Sequence, residues 1–81
     1  MQTLIIYDIE SDKIRNKAAE HCKDYGLKRI QFSAFLGDMN RNRREELFLK
    51  LKKLLGQAKG NIQLIPLCDK DYGLRKITVN E

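Results

Sequence analysis

The sequence predicts an α+β sandwich made of two amphipathic helices and a small sheet. Three observations lead to this prediction: an apolar strand opens the chain, apolar residues recur at helical spacing in two later segments, and an alternating segment lies between those two. The predicted order is strand, helix, one or two strands, helix, strand, and a final short strand. Two helices of this length on one face of a small sheet are typical of ferredoxin-like sandwiches.

The first strand is predicted over residues 3–8, where the apolar run at 4–6 is typical of a strand buried on both faces. Tyr7 and Asp8 end this strand. Carboxylates at the ends of buried strands are where α/β proteins tend to place metal ions and substrate groups. Asp8 is therefore a candidate metal ligand, and the alternative is that it caps a turn or pairs with a lysine.

The first helix follows Ser11 or Asp12, either of which can cap it. Its predicted apolar face consists of Ile14, Ala18, Cys22 and Tyr25. Gly26 provides the C-terminal stop. Residues 28–36 then alternate strictly between two sides, which predicts one half-buried strand with Phe35 on its polar side. A large apolar residue there is a core residue of a bent strand, a dimer contact or a stacking platform for a base, and we favour a core or interface role.

The second helix is predicted to start near Asn40 or Asn42, with Asn42 and Glu45 as a capping box. Its apolar face gives the strongest amphipathic signal in the chain and consists of Leu47, Phe48, Leu51, Leu54 and Leu55. We expect the glycines at 56 and 60 to bracket the end of this helix.

Two more strands are predicted after the second helix. Residues 61–68 form the first, in which Pro66 indicates an edge position or the strand end. Residues 74–79 form the last, which has no obvious place in its own sheet. Such a strand can add to an exposed edge, either its own or that of a partner.

Length and composition limit what the chain can do. Its 81 residues carry 16 Lys and Arg against 11 Asp and Glu, a net charge of +5. We expect one domain over 1–81 whose small core a second subunit would help to complete, and a surface that suits a polyanionic partner. No apolar run is long enough for a membrane span. Cys22 and Cys68 are single and far apart, so we expect a reduced, cytoplasmic protein, with a disulfide between them as the open alternative.

A single carboxylate holds a magnesium or manganese ion poorly, because these ions prefer several oxygen ligands. In a two-fold homodimer, two Asp8 side chains could converge on one site. A metal ion there would activate water and neutralise the charge that develops on a phosphate. Without a metal the two carboxylates would repel each other, and the pKa of one would rise.

Several basic residues are candidates for contacts with phosphates. Arg15 and Lys17 lie in the first turns of the first helix, and Arg29 opens the second strand. A further cluster at the entrance to the second helix consists of Arg41, Arg43 and Arg44. For this cluster both nucleic-acid binding and a solvated face with local ion pairs are open. Ser33 has no His or Lys base arranged beside it in the sequence, so we do not expect it to be a nucleophile.

Two motifs resemble those of a known family. The run Tyr7-Asp8-Ile9, followed by Arg-Ile-Gln-Phe-Ser-Ala-Phe-Leu-Gly at 29–37, is similar to the small CRISPR-associated adaptation protein, the second in the numbered series. The family pattern is an Arg-Val/Ile-Gln-x-Ser-Val-Phe-Glu-Gly-like run, and the resemblance covers nearly the whole chain. It implies a ferredoxin-like homodimer that exchanges its last strand. It also implies two strands within 28–39, in place of the single strand that alternation predicts.

The resemblance implies a magnesium-dependent endonuclease of RNA or double-stranded DNA that also bridges two dimers of the CRISPR integrase. Asp8 would be the metal-binding catalytic carboxylate, with Tyr7 as its neighbour. The supporting active-site positions would be Arg15, Arg29, Ser33 and Phe35. Lys17 stands where some members have a second arginine. Leu36 replaces the usual glutamate before Gly37, which removes a polar group from the motif and would alter the dimer surface.

Two other functions remain open at this stage. One is a non-catalytic DNA-binding scaffold for the integrase, in which Asp8→Ala leaves spacer capture intact and charge reversal at the second-helix arginines abolishes it. The other is a toxin-type ribonuclease on the same fold, which would be toxic on expression and have a paired antitoxin gene.

Overall fold

The computed structural model describes residues 1–67. The elements are β1 (Gln2–Ile9), α1 (Asp12–Asp24), β2 (Lys28–Gln31), β3 (Ala34–Asp38), α2 (Arg41–Leu55) and β4 (Gly60–Leu67). Cys68 and the strand predicted at 74–79 lie outside the described residues. Neither of the helices within 1–67 is long and apolar enough to cross a membrane.

The four strands form one antiparallel sheet in the order β2-β3-β1-β4. β1 is central and pairs along its whole length with β4, from Gln2 opposite Leu67 to Ile9 opposite Gly60. Side chains from one face of the sheet share a single core with both helices. This strand order with two helices on one face is the ferredoxin-like arrangement, so the predicted fold class is confirmed.

Residues 28–36 form a hairpin rather than one strand. The turn lies at residues 32–33, and the β2–β3 register shifts within β2. The single-strand prediction from alternation is therefore wrong, and the two strands that the family resemblance implied are present. Phe35 lies on the other side of the sheet from the one that alternation predicts. It pairs with Ile5 and lies in the core, not on a polar face. The segment carries no Gly, Pro or Asn that would mark a turn in the sequence. The chain reverses there because β3 pairs with β1.

α1 begins and ends as its sequence predicts. The Ser11 hydroxyl accepts a hydrogen bond from the Ile14 amide at 3.2 Å, which caps the first turn. At the other end the chain leaves the helix through Gly26, whose φ of +83° lies in the left-handed region that favours glycine.

α2 is capped by Asn40, whose side-chain oxygen accepts a hydrogen bond from the Arg43 amide at 2.8 Å. The predicted capping box of Asn42 and Glu45 is wrong, because Asn42 already lies inside the first turn of the helix. Glu45 pairs instead with Arg41, at 3.2 Å. The two candidate caps are two residues apart, and the end of β3 selects the earlier one.

The core lies between the two helices and one face of the sheet. Its largest fully buried side chains are Tyr7, Phe35, Ile5, Leu47, Leu51, Thr3 and Cys22. Ile14, Leu54 and Leu55 pack partly against this cluster. Phe48, predicted on the apolar face of α2, is 37% exposed and lies at its margin. The predicted helix faces are otherwise correct.

The opposite face of the sheet carries neither helix, and we call it the open face. Pairing registers place Leu4 and Ile6 of β1 on it, beside Leu36 of β3 and Ile65 of β4. Burial of β1 on both faces was predicted; in the part of the chain that the structure describes, one face is fully buried and the other is half-buried. Ile5 is fully buried, whereas Leu4 and Ile6 are half-buried.

Candidate functional site

Asp8 lies near the end of the central strand, on the open face. Its side chain is exposed and its register partner in β4 is Asn61. Among residues 1–67, Asp8 takes part in no ion pair. A carboxylate held at the end of a rigid strand and not neutralised by a neighbouring cation is available to an external one.

Tyr7 points to the opposite, covered face. It is 1% exposed, and its ring stacks on Phe35 with the centroids 6.2 Å apart. Burial raises the pKa of the Tyr7 hydroxyl, and the positive charge of nearby Arg29 only partly opposes this shift. The hydroxyl therefore stays protonated at neutral pH. Tyr7 and Phe35, both predicted site residues, lie under Asp8 as part of the core.

Arg15 ties the first helix to the end of β1. Its Nη1 donates a hydrogen bond to the Ile9 carbonyl at 3.2 Å, and its Nη2 pairs with Asp12. These contacts hold the guanidinium one residue beyond Asp8 along the chain. The Nε is buried and has no hydrogen-bond partner in the described part of the chain. The structure thus places Arg15 at the Asp8 end of the sheet, as predicted.

Arg29 and the hairpin turn complete this end of the molecule. The Arg29 guanidinium lies 5.0 Å from the Phe35 ring centroid and 5.7 Å from that of Phe32. Arg15 approaches the same Phe32 ring, at 5.4 Å. Phe32 is nevertheless 67% exposed. Our sequence reasoning did not single out Phe32, because its position at a turn is visible only once the hairpin is recognised.

Ser33 takes part through its backbone. Its carbonyl oxygen accepts a hydrogen bond from the Tyr7 amide at 3.0 Å, which fastens the hairpin turn to β1 next to Asp8. The side chain is half-buried in the turn. The structure therefore brings Tyr7, Asp8, Arg15, Arg29, Ser33 and Phe35 to one end of the sheet.

Gly60 is a further residue of this end that the sequence reasoning treated only as a helix stop. It pairs with Ile9 and has a φ of +148°. A Cβ at this position would lie 2.5 Å from the Asp8 carbonyl oxygen. Only glycine therefore lets β4 approach β1 this closely behind Asp8.

The second-helix arginines lie at the other end of the sheet. α2 follows β3, whose last residue Asp38 pairs with Gln2. Gln2 and Asp8 lie at opposite ends of β1, roughly 20 Å apart in a strand of this length. The structure thus separates the second-helix arginines from the candidate site of the same protomer.

These arginines also make different local contacts. Arg41 pairs with Glu45, and the Nη1 of Arg44 donates to the Met39 carbonyl at 3.4 Å. Arg43 turns away and lies 4.3 Å from the centroid of the Tyr25 ring. The local ion pair expected in the solvated alternative is therefore present for Arg41. Lys17, the other predicted phosphate contact, forms a similar exposed ion pair with Glu20 at 3.5 Å. Exposed pairs of this kind contribute little to stability.

A groove of about 520 Å³ runs between α2 and β4. Its apolar wall consists of Phe48, Leu49 and Leu64, and its basic residues are Arg41, Arg44 and Lys52. The groove does not include Asp8, so it is a second surface feature rather than part of the candidate site.

No group of three His, Cys, Asp or Glu side chains within residues 1–67 is placed to hold a metal ion. Glu10 and Asp12 follow Asp8 at this end of the sheet, but Asp12 pairs with Arg15, and within residues 1–67 the three carboxylates do not form a set of metal ligands. The fold and the site together define a small ferredoxin-like protein with an exposed carboxylate, Asp8, on the open face at the end of its central strand, and with Arg15 and Arg29 at the same end of the sheet on the helix side.

The comparisons with known proteins identify the family. The model of the family described as CRISPR associated protein Cas2 matches residues 1–75. The chain belongs to this family. A relative named CRISPR-associated endoribonuclease Cas2, from Desulforudis audaxviator, is 53% identical over 76 residues, which cover 94% of this chain and 72% of the relative. A second endoribonuclease Cas2, from Chloroflexus aurantiacus, is 40% identical over 95% of this chain and 91% of its own length.

Solved structures confirm the fold. Cas2 of Streptococcus pyogenes, crystallised at pH 6.5, matches with a TM-score of 0.82 over 99% of this chain and 100% of its own, at 22% identity. A hypothetical protein from Thermus thermophilus matches with a TM-score of 0.75 over 83% of this chain and 80% of its own, at 27% identity. The family resemblance read from the two sequence motifs is therefore confirmed.

Proposed function

We propose that the chain is a homodimeric, magnesium-dependent endonuclease of CRISPR adaptation that hydrolyses phosphodiester bonds in RNA or DNA. The observation that carries this proposal is Asp8, an exposed carboxylate without an ion pair in residues 1–67, on the open face at the end of the central strand. The names of the relatives from Desulforudis and Chloroflexus, both endoribonucleases, support RNA as the first substrate to test.

The open face supports the homodimer. Its central part is apolar and consists of Leu4, Ile6, Ala34, Leu36 and Ile65, with polar residues towards the strand ends. A contiguous apolar sheet face that no helix covers is expected to pack against another surface. Leu36, which stands where the family pattern has a glutamate, makes this face more apolar in the present chain. In a two-fold contact the same face packs against itself, so Asp8 would meet the partner's Asp8.

The metal requirement follows from the same pairing. Within residues 1–67 of one protomer, Asp8 is not part of a set of three metal ligands, whereas two protomers would bring two Asp8 carboxylates together, which suits the oxygen preference of magnesium or manganese. The two Asp8 side chains would hold the ion. When bound, it would lower the pKa of a water ligand and stabilise the charge of the phosphate.

The arginines give the proposed site its affinity for nucleic acid. Arg15 and Arg29 lie at the Asp8 end of the sheet, and guanidinium groups suit bidentate contacts with phosphate oxygens. The Ile9 carbonyl and the phenylalanine rings hold these two side chains in place, so little rotamer freedom is lost when a phosphate binds. Tyr7, neutral and buried beneath Asp8, keeps the end of the strand rigid.

A partnership with the CRISPR integrase belongs to the same proposal. A protein of Thermoproteus tenax named as a fusion of endonuclease Cas1 with endonuclease Cas2 is 33% identical to this chain over 64 residues. The groove beside α2, with its apolar wall and basic residues, offers a surface for such a partner far from Asp8. A scaffold function would use this groove and leave Asp8 without a role.

The test is a magnesium-titrated cleavage assay on single-stranded RNA and on duplex DNA. We expect Asp8→Ala to reduce cutting by roughly a hundredfold or more, because the metal ligand is lost. Asp24→Ala is a matched control, since Asp24 is an exposed carboxylate that takes part in no ion pair within 1–67 and lies at the far end of α1.

Sedimentation of each variant establishes that the comparison is made between dimers. Equal cutting by wild type and by a dimeric Asp8→Ala variant would contradict the endonuclease proposal and favour the scaffold function. A fall in cutting for Asp24→Ala as large as for Asp8→Ala would show that the loss is not specific to the proposed site.

A further inference from the structure

Phe32 occupies an unusual position for a large apolar residue. It lies in the two-residue turn between β2 and β3, where polar residues and glycine normally occur. Its side chain is 67% exposed, the highest value among the large hydrophobic residues exposed within 1–67. The ring contributes little to the core, so packing does not explain it.

Two guanidinium groups flank this ring. Arg15 comes from α1 and Arg29 from β2, and their central carbons lie 5.4 and 5.7 Å from the Phe32 centroid. Two positive charges thus converge on one exposed aromatic side chain. Arg15 forms an ion pair with Asp12, whereas Arg29 forms no ion pair with any of residues 1–67. The convergence leaves net positive charge at the turn, which favours a negatively charged ligand.

The support behind the ring is rigid. The Ser33 carbonyl is bonded to the Tyr7 amide, and Arg29 also covers the buried Phe35 ring. Arg15 is anchored to the Ile9 carbonyl. The turn therefore presents the Phe32 ring from a fixed base, two residues away from β3 and next to the strand that carries Asp8.

We propose that Phe32, Arg15 and Arg29 form a stacking platform for one unpaired nucleobase of a single-stranded nucleic acid, with the arginines contacting the adjoining phosphates. An exposed aromatic ring beside cationic side chains matches the chemistry of single-strand binding, in which bases stack on rings and guanidinium groups follow the backbone. This inference deepens the proposed function, on which it rests, by selecting strands with unpaired bases over duplexes.

The platform stays accessible in the proposed homodimer. Arg29 pairs with Phe35 in the register, and Phe35 belongs to the face covered by the helices. Arg15 comes from a helix on that same side. The Phe32 ring that both arginines approach thus lies on the helix side of the sheet, and a partner packed on the open face would leave it free to bind.

Binding to a short single strand that carries a fluorescent aminopurine base tests the proposal, with a chelator present so that nothing is cut. We expect Phe32→Leu, which keeps apolar bulk and removes the ring, to weaken single-strand binding roughly tenfold and to abolish the stacking-dependent quenching of the base. Phe32→Tyr should retain both. Phe48→Leu is the matched control, because Phe48 is the other exposed phenylalanine and lies on α2.

Binding to a duplex and to two kinds of single strand distinguishes the possible outcomes. A duplex of the same length should bind wild type and Phe32→Leu equally, since its bases are already stacked. Single-stranded RNA and single-stranded DNA, run in parallel, show which of the two carries the unpaired base. Wild-type affinity for single strands in Phe32→Leu, quenching that survives the substitution, or an equal loss for single strand and duplex would each overturn the platform.

The test is also independent of cutting. If wild type fails to cleave with magnesium while quenching depends on Phe32, the proposed endonuclease activity is wrong and the platform stands. If cleavage depends on Asp8 while Phe32→Leu binds and quenches as wild type does, the platform is wrong and the proposed activity stands.

Discussion

Ile5 and Ile6 are the same residue type, adjacent in the same central strand, and they lie in opposite environments. Ile5 is fully buried beneath the helices, whereas Ile6 is half-buried on the open face. The next pair repeats the division, with Tyr7 in the core and Asp8 exposed. Because side chains alternate along a strand, β1 builds the core with one set of residues and the candidate site with the other.

This comparison shows where the stability of the monomer resides and where association would add to it. The covered face joins residues from both helices into one cluster that includes Cys22, Leu47 and Leu51. The open face holds apolar side chains, among them Leu4, Ile6 and Leu36, that do not belong to this cluster and that neither helix covers. Substitutions on the covered face should therefore act on folding, and substitutions on the open face should act on the proposed dimer.

The largest expected effect comes from truncating Ile5. Ile5→Ala should lower the free energy of unfolding by about 2–5 kcal/mol, because it removes buried methyl groups and leaves a cavity. Ile6→Ala, the matched truncation on the open face, should cost less than half as much in a dilute, monomeric sample. Urea unfolding of both variants at low protein concentration measures the difference. Equal costs would mean that the two faces are covered alike in the monomer.

A charge on the open face should break the dimer and leave the fold intact. Ile6→Glu would place two like charges in a two-fold contact and bury them away from water, so we expect self-association to weaken at least tenfold, or about 1.4 kcal/mol. Sedimentation equilibrium measures the association, and circular dichroism monitors the fold. Ile6→Leu, which keeps the apolar volume, is the control. A dimer as tight as wild type in Ile6→Glu would show that the partner packs elsewhere.

The sequence predicts the covered face better than the site. The spacing of Ala18 and Cys22 in α1, and of Leu47 and Leu51 in α2, follows the helical period, so these core residues were identified correctly. The Ser11 cap and the Gly26 stop are local signals as well. Such patterns depend only on residues that are close in the sequence, so the predictions made from them agree with the structure.

The predictions that were wrong depend on distant parts of the chain. The turn at Phe32 has no turn residues of its own and exists because β3 pairs with β1, which no local pattern encodes. The side of the strand that alternation assigned to Phe35 was wrong for the same reason, whereas the core role favoured for its side chain agrees with its full burial. The close approach of Gly60 to Asp8 is likewise a contact between strands far apart in the sequence. Asp8 became a candidate because a strand end is a local feature, and Arg15 because the start of the first helix follows that strand end; the family motif added Arg29 to the same site.

The smallest expected effect is a pH dependence that arises on the covered face. Burial raises the pKa of the Cys22 thiol from 9.0 to about 12. The folded state thus keeps the thiol proton at a pH at which the unfolded state has already released it. The contribution of this proton to the free energy of unfolding is therefore complete below pH 9 and is lost as the pH rises from 9 towards 12. At pH 10, one unit above the pKa of the thiol in the unfolded state, the free energy of unfolding should have fallen by about 1.4 kcal/mol.

Cys22→Ala isolates this contribution, since alanine does not titrate and fits the small space in the helix. Urea unfolding of wild type and variant near pH 8 and near pH 10 should show the wild type losing more stability, by roughly the same 1.4 kcal/mol. The neighbouring Tyr7 hydroxyl, whose pKa burial also raises, is present in both proteins, and the variant removes only the smaller rise in that pKa that the charged Cys22 thiolate adds. Parallel pH profiles would mean that water reaches the thiol, and that the face beneath the helices is less different from the open face than Ile5 and Ile6 indicate.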